Sequence, residues 1–173
     1  MNSEHILARF GSYAVRVLHQ DDSYRVASLC SIHDGADVCR TLAVTHFASP
    51  APEALKEADA LIRQGHSIGS TLKDAGLALS RTMLAEGTAS CGAGFARLAG
   101  EAVATGDEIV VRLYELCAGP DASIHPVYAT IAEAHHPQHV TSVNSLSPLH
   151  SIPDDAWSSD ARGALDKLLA TMA

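Results

Sequence analysis

No run of apolar residues in this sequence approaches the ~20 needed to cross a bilayer, and the start, Met1-Asn2-Ser3-Glu4-His5, lacks the basic-then-apolar pattern of a secretory leader. A soluble, cytoplasmic protein is expected. There is also no basic tract: 12 Lys and Arg stand against 20 Asp and Glu, for a formal net charge of -8. Nucleic acid and anionic membranes call for the opposite field, so neither is expected as a partner. The four cysteines, Cys30, Cys39, Cys91 and Cys117, lack Cys-x-x-Cys or zinc-ribbon spacing, and scattered cysteines in a reducing compartment serve mostly as small buried apolar groups. Neither G-x-x-x-x-G-K-[ST] nor G-x-G-x-x-G after a strand is found, and no H-E-x-x-H accompanies the ten histidines. No cofactor and no metal are therefore expected. Internal repeats and low-complexity tracts are missing too.

What is there suits one folded domain. A chain of 173 residues, 47% hydrophobic and 18% charged, can bury roughly two thirds of the surface its unfolded form exposes. Tyr13 to His19 and Tyr24 to Ile32 are rich in β-branched and aromatic residues, and Asp34-Gly35 supplies a two-residue turn into a third run, Val38 to Phe47. Such a loop sets Cys30 opposite Cys39, with packing rather than a disulfide the expected outcome, and Leu29 opposite Arg40. Ala54, Leu55, Ala58, Leu61 and Ile62 recur at helical spacing up to Gly65, and a shorter helix runs from Thr71 to Ala75. A strand over Leu77 to Leu84, a helix over Gly94 to Val103, and strands over Glu108 to Cys117 and Pro126 to His135 follow. The Ser- and Pro-rich segment Val140 to Ser159 reads as a linker, and an amphipathic helix begins near Asp160. The order β-β-β-α-α-β-α-β-β predicts an α+β fold, a mostly antiparallel sheet with helices packed on one side. Residues 1–139 form the main domain, and 140–173 a linker and C-terminal helix packed on it.

Several fragments share a pattern when read together. They are the hairpin from Tyr24-Arg25-Val26-Ala27-Ser28-Leu29 through Asp34-Gly35 to Arg40-Thr41, then Ser67-Ile68-Gly69, Leu79-Ser80-Arg81, Val111-Arg112-Leu113, and Ala132-Glu133 with Pro137. In this order they resemble the chorismate lyase fold, shared by chorismate pyruvate-lyases and the effector-binding (UTRA) domains of GntR-type regulators. The resemblance spans residues 5 to 139. It implies flaps over the site made by the helices after the hairpin, and a glutamate, here Glu133, that meets the hydroxyl of the aromatic product. Two features depart from the pattern. The position at which the lyases carry a carboxylate-holding arginine reads Ala27, and only a dozen residues precede the first strand, too few for the regulators' DNA-binding winged helix.

Side chains two apart on a strand share a face, so Arg25 projects beside Ala27 and can take over the missing arginine's role. With Arg40 on the neighbouring strand it would clamp a dicarboxylate in bidentate geometry. Ile68 and the backbone at Gly69 would line the pocket. Glu133, a carboxyl in an apolar run, would meet the ring oxygen or move a proton. His135 shares its face as a neutral imidazole, and Arg112 and Arg81 are supporting candidates for which structural ion pairing is the blander role. Gly65-His66-Ser67-Ile68-Gly69 fits the G-x-S-x-G expression of serine hydrolases but falls between two helices instead of on a strand-to-helix turn. The function expected is a cofactor-free lyase that eliminates pyruvate from chorismate or a related enolpyruvyl or aromatic carboxylate. The alternative is a stand-alone effector-binding module for a small carboxylate. A homodimer through the C-terminal tail is a further expectation.

Overall fold

The computed structural model describes residues 2–100, 102–121, 125–140 and 145–173. Residue 101 of the expected helix and residues 141–144 of the expected linker lie outside them. The order is α1 (Asn2–Phe10), β1 (Ala14–Gln20), β2 (Tyr24–His33), β3 (Ala36–Phe47), α2 (Lys56–Arg63), α3 (Ile68–Asp74), β4 (Ala78–Ser90), α4 (Ala93–Ala99), β5 (Glu108–Gly119), β6 (Val127–His135) and α5 (Ser159–Met172). Every expected element is present, with α1 as an addition. All six strands form one antiparallel sheet in the order β1-β2-β3-β6-β5-β4. Two three-stranded meanders are thus joined along β3 and β6, which places both in the middle of the sheet.

Local chemistry explains the hairpin. His33 pairs with Ala36, leaving Asp34 and Gly35 as the loop with φ of 50° and 79°. Two successive left-handed residues match the right-handed twist of the strands, and Asp-Gly supplies them at little cost. Cys30 does face Cys39, and both are buried free thiols. Beyond that pair the register slips: Leu29 faces Thr41, not Arg40, because Arg40 is the extra residue of a β-bulge. Similar bulges sit in β1, β4 and β6, the last at Tyr128.

Helices cover both faces of the sheet, a correction to the one-sided packing expected. The reason is that the strands alternate apolar residues on both sides. Val26, Leu42, Val44, Val111, Leu113, Ala132 and Ala134 face α4 and α5, with Phe95, Leu165 and Leu168 in the same core. Phe47, Tyr114, Leu116, Ala129 and Ile131 face α2 and α3, with Leu55, Ala58, Ile62 and Leu72. Antiparallel strands buried on both faces in this way form a three-layered domain. Among the described residues no helix is long and apolar enough to cross a membrane.

Candidate functional site

On the α2–α3 face the two apolar layers do not meet completely. The alternate residues of every strand floor a cavity: Val15, then Arg25, Ala27 and Leu29, Ala43 and Thr45, Ile131 and Glu133, Tyr114 and Leu116, Leu79 and Arg81. Asn2 and Ser3 of α1, Tyr13, and Ser67, Ile68 and Gly69 at the start of α3 roof it. The centre of a water molecule can reach about 70 Å³ inside it, and the space around that core is partly open to solvent. The walls are mainly apolar, with a few polar groups converging on the interior.

Arg25 is the deepest cation, only 3% exposed. Its Nη1 donates to the carbonyl oxygens of Ile62 (3.2 Å) and His66 (2.8 Å), tying β2 to the end of α2. Its Nε is buried with no acceptor, and no carboxylate lies within ion-pair distance among the described residues. Burial pulls the guanidinium below its ordinary value, yet arginine stays charged under any physiological condition. The result is a buried positive charge without a counter-charge, facing a cavity. Arg81 sits at the exposed end with its guanidinium carbon 5.0 Å from the Tyr114 ring centre.

Glu133 is the acidic member, 6% exposed. Burial pushes its carboxyl above the ordinary value, against the opposing pull of Arg81, Asn2, Tyr114 and Arg112. The Tyr114 phenol is raised well above its ordinary value by burial and then by the Glu133 charge. His135 lies on the same face, its Nε2 at 3.6 Å from Glu133 Oε2. Burial holds this imidazole well below its ordinary value and therefore neutral.

The residues picked from the sequence separate into two groups. Arg25, Ala27, Ile68, Gly69 and Glu133 line one cavity; Arg40, Arg112 and His135 do not. Arg40 is buried, not at the rim, but its Nε donates to Ser31 Oγ at 2.8 Å and its Nη1 to Gln138 Oε1 at 2.8 Å, and its guanidinium stacks 3.9 Å from the Phe10 ring centre. The two-arginine clamp on one ligand is therefore not formed. The bulge carries Arg40 past its expected partner and the missed helix α1 takes up its cationic face. Arg112 spends its Nε on Glu86 Oε1 at 2.6 Å, the ion-pairing role. Ser67 of the G-x-S-x-G run precedes α3 with its Oγ 3.4 Å from the Tyr13 hydroxyl, between helices as expected.

Among the lining residues that escaped sequence reasoning are Asn2, Ser3, Tyr13 and Tyr114. Tyr114 was within reach, since pairing of Arg112 with Glu133 across β5 and β6 places residues two further along on the same face. Asn2 and Ser3 carried no signal, since the short helix that holds them buries only Ile6. Comparison of the chain with protein-family models gave no match, and comparison with curated proteins gave none.

Proposed function

We propose that the cavity binds a one-ring carboxylate through Arg25, and that the protein is a cofactor-free lyase releasing pyruvate from chorismate or a similar enolpyruvyl ether. The observation that carries this reading is Arg25, a buried cation with no counter-charge among the described residues, lining a largely apolar cavity. An uncompensated buried charge is costly, and a carboxylate ligand supplies what is missing. Apolar walls at Val15, Ala27, Leu29 and Ile131 suit the ring, and the likeness to the chorismate lyase fold supports the same ligand class.

The reaction asks little of the protein. A ring C–H bond next to the ether carbon breaks and its electron pair joins the ring π system. The ether C–O bond breaks, its pair leaves with the enolpyruvate, and the proton ends on the enolpyruvate methylene carbon to give pyruvate. No redox partner enters this balance. The site has only to hold the substrate in the reactive conformation and handle one proton. Glu133 is the group that meets the ring oxygen or moves that proton, at the cavity floor.

A second reading, a stand-alone binding module, is favoured by Ala27, which leaves an apolar patch where the lyases have an arginine. Incubation with chorismate, following pyruvate and 4-hydroxybenzoate by chromatography, tests the choice. The lyase reading predicts stoichiometric release of both, slowed by about 100-fold or more in Glu133→Gln. Absence of turnover in protein that still binds 4-hydroxybenzoate supports the module and overturns the lyase.

A further inference from the structure

Beneath α1 lies a chain of polar side chains that packing does not require. Asn2 Nδ2 donates to Thr41 Oγ1 at 3.1 Å and to Glu133 Oε1 at 3.3 Å. Asn2 Oδ1 is 2.5 Å from His139 Nε2. Thr41 Oγ1 is 3.2 Å from His135 Nδ1, and His135 Nε2, 1% exposed, has no partner closer than Glu133 Oε2 at 3.6 Å. Four elements, α1, β3, β6 and the turn after β6, contribute to it.

The donors can be followed in order from His139 to Asn2, and the Thr41–His135 contact is assigned with Thr41 as donor. An amide oxygen cannot donate, so His139 donates from Nε2 to Asn2 Oδ1. The two amide protons of Asn2 then go to Thr41 and Glu133. Thr41 receives one of them, and the acceptor within reach of its own hydroxyl proton is His135 Nδ1. A neutral imidazole that accepts at Nδ1 carries its proton on Nε2, the atom turned toward Glu133. Both carboxylate oxygens therefore face donors. The charges and titrating groups around Glu133 are Arg81 on β4, Arg112 and Tyr114 on β5, Tyr13 ahead of β1 and His135 on β6.

We infer that Asn2, Thr41 and His135 are positioning residues that hold Glu133 as the proton-carrying group of the site, Asn2 through its hydrogen bond to Oε1 and Thr41 by turning the Nε2 edge of His135 toward Oε2. The inference rests on the reading of the cavity given above and deepens it: Glu133 takes the ring proton, and the same carboxyl hands it to the enolpyruvate carbon. Burial and these donors pull in opposite directions on the carboxyl, which keeps a base of useful strength in an apolar pocket.

The test is side-chain NMR on the intact labelled chain. Long-range proton–nitrogen correlation of His135 in the wild type is expected to show a neutral ring protonated on Nε2, with Nδ1 bare. In Thr41→Val, which keeps shape and loses the hydroxyl donor, His135 is expected to shift toward the Nδ1-protonated tautomer. Carbon-detected titration of the Glu133 carboxyl is expected to move up by about one pH unit or more in Asn2→Ala. A wild-type His135 protonated on Nδ1 overturns the inference by itself, whether or not the variants fold. So does a Glu133 midpoint that stays put in folded Asn2→Ala protein. Titration of wild-type protein with 4-hydroxybenzoate separates the two claims. If the tautomer is as expected but no binding occurs, the ligand reading fails and the network stands; binding with the wrong tautomer does the reverse.

Discussion

Tyr128 shows how one residue out of register becomes useful. As the extra residue of the β6 bulge it turns onto the α2 face, where its ring packs 6.0 Å from that of Phe47. Its hydroxyl donates to Asp59 Oδ1 at 2.7 Å, the same oxygen that accepts from Arg63 Nε at 3.3 Å. The bond fastens α2 to the sheet. Tyr128→Phe is expected to lose about 1–2 kcal/mol in urea unfolding, since a buried hydrogen bond to a charged acceptor goes and nothing replaces it. An unchanged midpoint would show that α2 is held by apolar packing alone. Arg40 makes the opposite point about reading a sequence. Its identity as a candidate was legible, but its place was not, because alternation and loop length cannot reveal a bulge. One extra residue sent it to Ser31 and Gln138 instead of to the cavity.

At the scale of elements, the strands were legible because each combines β-branched residues with clear turn chemistry. Helix α1 was not. Over nine residues its only fully buried side chain is Ile6, too little for a helical period to stand out, and yet it supplies Asn2 to the site. Helix α5 was legible from its stripe of Ala161, Leu165 and Leu168, and Ser158 Oγ caps it by accepting from Ala161 N at 3.2 Å. What the stripe did not disclose is how closely the end of α5 approaches α4. A methyl group added at Gly92 would lie 2.3 Å from Met172 O and 2.7 Å from Ala173 Cα. These are backbone atoms and cannot rotate away. Gly92→Ala is expected to cost about 1–3 kcal/mol of stability through displacement of α5. A crystal structure of the variant with α5 unmoved and an unchanged melting temperature would refute that account of the packing.

At the scale of the whole molecule, sheet order lay beyond the sequence. Pairing of β3 with β6 joins segments roughly ninety residues apart, and no local pattern encodes it. That pairing puts Arg25, Glu133 and Tyr114, from separate strands, around one space, so the cavity belongs to the fold as a whole. The same assembly gathers histidines at one end of the central strands. Burial, then the Arg40 charge, holds His136 down to about 4, and burial, then His5 and Arg9, holds His139 to about 4. In the unfolded chain both take up protons below about 6.5. Between those values the unfolded state binds more protons, so stability is full above about 6.5 and falls as the pH drops toward 4. Urea midpoints are expected to be lower at pH 5 than at pH 7.5, and His136→Gln to flatten part of the slope. A pH-independent midpoint over this range would contradict the burial of these rings.

The cavity reading turns on whether Arg25 awaits an anion. Calorimetric titration of the wild-type protein and of Arg25→Met with 4-hydroxybenzoate, with each protein checked for folding by circular dichroism, addresses this directly. The account predicts one site per chain in the wild type and at least about a tenfold loss of affinity in the variant, the ~1.4 kcal/mol or more expected when a charge-assisted contact is lost. Equal binding by both proteins, or none by the folded wild type, would contradict it.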